Sequence, residues 1–394
     1  MRDNQIAILA KGAGISFSFD ATNSKCYYMA KILKSYGLNV TILSGIYYQQ
    51  EPISKKIGRY RGIKYYMPSV YPKSNSKIKR IYYKSIYILK VISFLIYLKA
   101  KWTKIHFIFD DNSTPFPFLL VLEWMGIIEL IFNLEEWPLA HNLPRRRKML
   151  LHCFVILAFK SCKKLVCVSS YLITQAINYN KKARVFRLPA LTQFNDSKCE
   201  TSINTNDQRE VTRFLYCGNV GYSEIILAVI QAFENICRLR ENEKVELLLI
   251  LHGNALQLQK ISDYARQSKH PIEIKTSLSE SDLFAEYAQA SVLLAPLRFT
   301  VQDKARFPQK IAEYVALSKP IITTRVGDIL LYFELNKSAI FLDEFSVEEL
   351  IRKMNFVIDN KQTVKTIGVE GNVAGRKYFD YRQYVTKFGD FVTS

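Results

Sequence analysis

Four cations and two acids stand close together late in the chain: Arg298, Asp303, Lys304, Arg306, Lys310 and Glu313. The apolar run from Ser291 to Ala295 reads as a buried parallel strand and stops at Pro296, where a ladder hydrogen bond would be lost. The charged stretch therefore begins as a loop, and Pro308 falls where the first turn of a helix accepts a proline. A helix N-terminus offers free N–H groups and the positive end of its dipole. Ringed by Arg298, Lys304, Arg306 and Lys310, it makes an anion site, best suited to a phosphate. Glu313 lies one turn into that helix among Ile311, Ala312, Tyr314, Val315 and Ala316. A carboxylate so placed suits hydrogen bonds from ribose or sugar hydroxyls. The plainer alternative is a surface loop with solvated charges.

A second pair of acids, Glu135 and Glu136, follows the strand-like run Glu129 to Leu134 and is closed by Trp137 and Pro138. Two acids delivered by an apolar strand are costly to place without a use. In a dry cleft such a carboxylate acquires a raised pKa suited to general base work. The alternative is an acid pair neutralised by Arg145, Arg146 or Arg147 just downstream. Near the start, Gly12 and Gly14 permit close backbone approach to a ligand, but Phe17 stands where the third glycine of a dinucleotide motif belongs. Asp110 and Asp111 suit capping of a helix near Pro115, and His141 and His152 read as structural.

These groups need a frame, and the chain supplies one by alternating strand and helix patterns. Ile6 to Ala10 leads through a glycine loop to a helix from about Ser24 to Ser35, then to the strand Val40 to Leu43. Later strands are expected at Ile105 to Phe109, Glu129 to Leu134, Lys164 to Ser170 and Val185 to Leu188. After the polar stretch Gln193 to Glu210, which reads as a linker, Arg213 to Tyr222 opens a second strand and glycine loop at Gly218. Strands at Glu246 to His252, Ile272 to Lys275, Val292 to Ala295 and Ile321 to Thr323 follow, with helices between. The pattern predicts an α/β protein of two doubly wound domains with parallel sheets covered on both faces. Ligands of such sheets bind outside the carboxyl ends of the strands, where the Arg298 to Lys310 loop falls.

The run Arg306-Phe-Pro-x-Lys310-x-x-Glu313-Tyr-x-Ala-x-x-Lys319-Pro-Ile-Ile-Thr-Thr324 resembles the donor-site signature of retaining glycosyltransferases of family 4, and the Glu136-Trp137 pair is similar to one found in their capsule and lipopolysaccharide branch. The resemblance implies the GT-B fold, two Rossmann-like domains facing across a cleft. It divides the chain into an acceptor domain over 1–192, a linker over 193–210, a nucleotide-sugar donor domain over 211–375 and a helix over 376–394 that crosses back. It assigns Glu313 to the donor ribose and the preceding loop, with Gly12, Gly14, Gly218 and Asn219, to the donor diphosphate and sugar. Glu135 and Glu136 match the position facing the acceptor, one of them taking or orienting its hydroxyl proton. Three positions depart from the family: Ala305 replaces a second Glu, with Asp303 nearby as a stand-in, and Asn219 and Glu224 replace an Arg and a Lys that hold the diphosphate. Those replacements motivate a second reading, an inactive relative that serves as a sugar- or membrane-binding partner in a polysaccharide assembly complex.

Composition narrows the setting. The chain has 394 residues, 49% of them hydrophobic, and a net charge of +20. Its seven cysteines show no C-x-x-C pair and no zinc-type spacing, so neither a metal site, a disulfide framework nor a resident cofactor is indicated. The short apolar part of the first ten residues leads into a strand, which points to a cytoplasmic protein. Between Tyr71 and Lys104 the chain carries nine lysines and arginines and no acid, interleaved with Tyr82, Tyr83, Tyr87, Phe94, Tyr97 and Trp102. The apolar run Ile86 to Leu98 is too short to span a bilayer. A helix lying on the inner face of an anionic membrane fits it, as does a domain helix with a wet lysine face. No nucleic-acid module is visible.

Overall fold

The computed structural model describes residues 4–10, 21–45, 47–49, 57–68, 70–72, 76–110, 116–140, 144–194 and 211–394. The chain divides into two compact units, Met1–Leu191 with Tyr381–Ser394, and Thr192–Asp380. In the first unit the order is β1 (Asn4–Ala10), α1 (Ala21–Ser35), β2 (Asn39–Ser44), β3 (Tyr47–Gln49), β4 (Ile57–Tyr60), β5 (Ile63–Tyr66), β6 (Val70–Pro72) and α2 (Lys77–Lys101). Then come β7 (Lys104–Phe109), α3 (Phe116–Trp124), β8 (Glu129–Leu134), α4 (Arg145–Ser161), β9 (Lys164–Cys167), α5 (Ser170–Tyr179) and β10 (Arg184–Arg187). Eight strands form one sheet in the order β10-β9-β8-β7-β1-β2-β5-β4, while β3 and β6 pair separately. All neighbours in that sheet are parallel except β4 and β5, a hairpin turned at Arg61 and Gly62, both with positive φ.

The strands run outward from β1 in two directions, so right-handed crossovers place α1 on one face and α2 to α5 on the other. Beneath α1, Met29, Ala30 and Leu33 pack with Ile6, Ile8, Ile131 and Val166 of the sheet. On the opposite face, α2 buries Tyr87, Val91, Leu95 and Leu98, a stripe at helical spacing. Its outward side keeps Ile78, Ile81, Tyr82, Leu89, Ile96 and Tyr97 exposed between the lysines. The helix is longer than the apolar run alone suggested. By length and composition α2 is enough to cross a membrane, but one stripe of it is already committed to this core.

The second unit runs β11 (Thr212–Asn219), α6 (Ser223–Leu239), β12 (Val245–His252), α7 (Ala255–Arg266), β13 (Ile272–Lys275), α8 (Glu280–Gln289) and β14 (Val292–Ala295). It continues through α9 (Val301–Ala305), α10 (Gln309–Ala316), β15 (Ile321–Thr324), α11 (Ile329–Tyr332), β16 (Ile340–Leu342), α12 (Val347–Asp359) and α13 (Lys361–Phe379). Its six strands are all parallel, in the order β13-β12-β11-β14-β15-β16. Unbroken apolar runs such as Leu247 to Leu251 are buried, as strands covered on both faces require.

The boundaries differ from the sequence expectation at both ends of this unit. Gln193 and Phe194 belong to it rather than to a linker, and Phe194 packs against Gly375; 195–210 lies outside the described residues. The helix expected to cross back from 376 instead ends at Phe379, and the chain returns at Tyr381. There the Thr192 N–H donates to the Phe379 carbonyl at 2.9 Å, so entry and exit strands of chain lie side by side. The turn Tyr381–Tyr384 and the helix α14 (Val385–Thr393) complete the first unit. Its Phe388, Phe391 and Val392 close the core under α1, Gly389 lies so near the Tyr36 ring that a Cβ would collide, and Lys164 Nζ donates to the Val392 carbonyl at 2.7 Å.

Candidate functional site

The charged loop leaves the carboxyl end of β14 and is tied to the end of β15: the Leu297 N–H donates to Thr324 Oγ1 at 3.0 Å, and Thr323 Oγ1 donates to the Ala295 carbonyl at 2.9 Å. It is not an open loop. Thr300 caps the short helix α9 through the Asp303 N–H, and that turn buries Asp303 completely. One Asp303 oxygen accepts from the backbone N–H and from Nε of Arg298, each at 2.9 Å. The other faces Arg306 Nη2 at 2.8 Å. Arg298 also reaches Glu224 at 3.1 Å, and both guanidinium groups lie over the Tyr222 ring, Arg306 at 4.0 Å from its centroid.

The four cations expected around a phosphate are therefore not equivalent. Arg298 is countered by two carboxylates, and Asp303 orients arginines instead of facing a ligand, because a buried carboxylate must be paired. Arg306 keeps a buried Nε that has no hydrogen-bond partner, Lys304 is exposed, and Lys310 is half-buried one turn from Glu313. Pro308 precedes α10 as its cap residue, not as its first helical residue. Ala305 is fully enclosed at the end of α9.

Glu313 is buried on α10. Burial pushes its carboxyl up to about 7, against the Lys310 ammonium and a hydrogen bond from Gln309, while Glu280 adds to the rise. At the end of β12 the imidazole of His252 is pushed down to about 4 by partial burial and by Lys310, although the residue as a whole is exposed. His252 and Tyr222 were not singled out by type or spacing. Both stand at the carboxyl ends of strands β12 and β11, and that position was the available signal.

Gly218 is the last residue but one of β11, with the Tyr216 ring so close that any Cβ would overlap it, so the glycine is required by the protein's own packing. Asn219 caps the turn Val220–Tyr222, its Oδ1 accepting from the Gly221 N–H at 2.8 Å. Gly12 and Gly14 lie outside the described residues, as do Asp111 and His141. In the first unit Glu135 and Glu136 follow β8 and are half-buried, with Asn133 Nδ2 donating to Glu135 Oε1 at 3.0 Å. Arg145, Arg146 and Arg147 are exposed at the start of α4. Trp137 is buried in a ring cluster with Phe159, Tyr171 and Tyr179. Among the described residues no group of three or more His, Cys, Asp or Glu is placed to hold a metal ion.

Residues 211–360 match the family model described as glycosyl transferases group 1. No curated protein matches the chain. Sucrose-phosphate synthase from Thermosynechococcus elongatus has a similar structure, with a TM-score of 0.72, 11% identity and 98% of each chain covered. Anabaena HepE in complex with UDP and glucose follows at 0.69, with 12% identity and 99% of each chain. An α,α-trehalose-phosphate synthase (UDP-forming) from Burkholderia xenovorans, in complex with glucose-6-phosphate, gives 0.67 at 13% identity, with 99% of this chain and 100% of that one. At such identities the likeness is one of fold. The chain has the two Rossmann-like sheets of GT-B glycosyltransferases, and its second unit carries the group 1 glycosyltransferase match.

Proposed function

We propose that this protein transfers a sugar from a nucleotide-diphosphate donor to a lipid-linked or polysaccharide acceptor at the cytoplasmic face of a membrane, with retention of configuration. The observation that carries the reading is Glu313, a buried carboxyl behind a cationic loop at the carboxyl edge of the second sheet, inside the segment that matches group 1 glycosyltransferases. UDP and UDP-glucose complexes of the HepE fold relative favour a nucleotide-sugar donor. Glu313 accepts from ribose hydroxyls. Arg306, Lys310 and the α10 N-terminus stabilise the departing diphosphate, a role that needs no metal. Glu135 and Glu136 serve the acceptor.

Membrane attachment is supported by one face of the first unit. Helices α2, α3 and α4 share that face, and rings of Phe116 and Phe154 join the last two at 4.8 Å. Exposed there are Phe118, Val121, Trp124 and Met125 at α3 and Met149, Leu150 and Leu157 on α4, beside the outward side chains of α2. Arg145 to Lys148 and the lysines of α2 supply the charge that favours anionic headgroups.

The pairing of Arg298 with Glu224 and Asp303 favours one rival, a binding protein of GT-B fold without turnover. Release of nucleoside diphosphate from a panel of sugar nucleotides, by wild type and Glu313→Ala, separates the two. Turnover lost in the variant supports the enzyme; binding without turnover in the wild type supports the rival; neither binding nor turnover defeats both.

A further inference from the structure

Under the first turns of α1, the first unit holds a buried donor and a buried acceptor that have no partner. Lys25 is 3% exposed and its Nζ makes no hydrogen bond. Asn133 is 2% exposed; its amide serves Glu135, and its Oδ1 makes no hydrogen bond. Strand alternation puts Ile131, Asn133 and Glu135 on one face of β8. Ile131 lies in the same core cluster as Met29 and Leu33, so that face is the one α1 covers. Lys25 precedes Met29 by four residues and projects from the same side of the helix. Its ammonium is destabilised by burial and sustained by the nearby Glu135 carboxylate.

An unpaired buried ammonium is costly to keep, and native proteins retain such groups where something else completes them. The place is the carboxyl edge of the sheet, close to where the strand order reverses between β1 and β7, which is where open α/β sheets bind ligands. A hydroxyl matches the pair because it accepts and donates at once. An anion would serve Lys25 and leave Asn133 Oδ1 unsatisfied.

We propose that Lys25 and Asn133, with Glu135, form a hydroxyl-reading subsite for the acceptor sugar: Lys25 Nζ donates to a hydroxyl oxygen, and that hydroxyl or its ring neighbour donates to Asn133 Oδ1 or to Glu135. The subsite rests on the glycosyltransferase reading. It contacts substrate and forms no covalent bond.

The test is thermal unfolding of wild type, Lys25→Met and Asn133→Leu, alone, with the common nucleoside diphosphates, and with a panel of methyl hexosides. A subsite waiting for its ligand makes ligand-free Lys25→Met unfold about 2–6 °C above wild type. At least one hexoside then raises the wild-type midpoint, and its affinity falls tenfold or more in both variants, while the nucleotide shift is kept. Lower midpoints for both ligand-free variants overturn the proposal, since a bridging water would then make the pair structural. A wild type that no hexoside shifts, or variants that bind hexoside normally, overturn it too. A wild type that no nucleoside diphosphate shifts defeats the glycosyltransferase reading instead, and the order of the ligand-free midpoints still decides whether the pair is unsatisfied.

Discussion

Asp303 takes the backbone N–H and the Nε of Arg298 on a single oxygen, both at 2.9 Å, in a position closed to water. With Arg306 on its other oxygen, the carboxylate fixes the path from α9 to α10 and aims the second guanidinium. Asp303→Ala leaves Arg306 without its carboxylate and Arg298 with only the exposed Glu224, so the variant should lose about 3–5 kcal/mol in urea unfolding. A loss under about 1 kcal/mol would reduce the cluster to a surface ion pair.

Glu313 makes stability depend on pH in the sense opposite to most carboxylates. A glutamate titrates near ~4.3 in an unfolded chain, and Glu313 does so at about 7 in the fold. The folded state thus holds a proton that the unfolded state has released. Stability is full below the lower value, falls as pH rises between the two, and levels off above the upper one. Glu313→Gln removes the charge at nearly constant shape. Its unfolding free energy should exceed that of wild type at pH 8, by at most about 4 kcal/mol, and match it near pH 4. Equal midpoints at both pH values would rule out a buried titrating group.

Ligand binding should move the same proton. Hydroxyls donating to Glu313 favour its charged form, so nucleotide binding at pH 7 releases about half a proton, the share still bound at a pKa of about 7. Calorimetry in two buffers of different ionisation heat reads this directly. The difference should vanish in Glu313→Gln; a wild type without it binds nucleotide away from this carboxyl.

Trp124 is 88% exposed at the end of α3 and would report on contact with a membrane at the face proposed for it. With vesicles containing anionic lipid the protein should float, and tryptophan emission should shift to the blue. Trp124→Ser combined with Leu150→Ser should weaken flotation at least tenfold with the fold intact by circular dichroism. Protein left in the soluble fraction with anionic and neutral vesicles alike would return these helices to an ordinary surface.

Much of the frame was legible because parallel strands covered on both faces announce themselves as short apolar runs, as at Leu247 to Leu251 or Ile105 to Phe109. The hairpin of β4 and β5 was not, since its only marks are the positive φ at Arg61 and Gly62 and two short half-exposed strands. Around Glu313 the apolar neighbours foretold burial. The pairing of Asp303 was hidden: α9 is five residues long, and its fold depends on a Thr300 cap and two arginines finding one carboxylate. Lys25 was hidden for another reason. A lysine in an amphipathic helix reads as a wet side, and only the sheet beneath shows that it faces inward.

The return of the chain to the first unit at Tyr381 has a consequence for the order of synthesis. The first unit begins the chain, yet Phe388, Phe391 and Val392, which close its core, are made after all of the second unit. The half that emerges first must therefore remain an unfinished body with an open apolar floor while its companion folds. Shortening the chain at Asp380 would strip that floor permanently, and damage from so small a deletion would fall on the unit farthest from it in sequence.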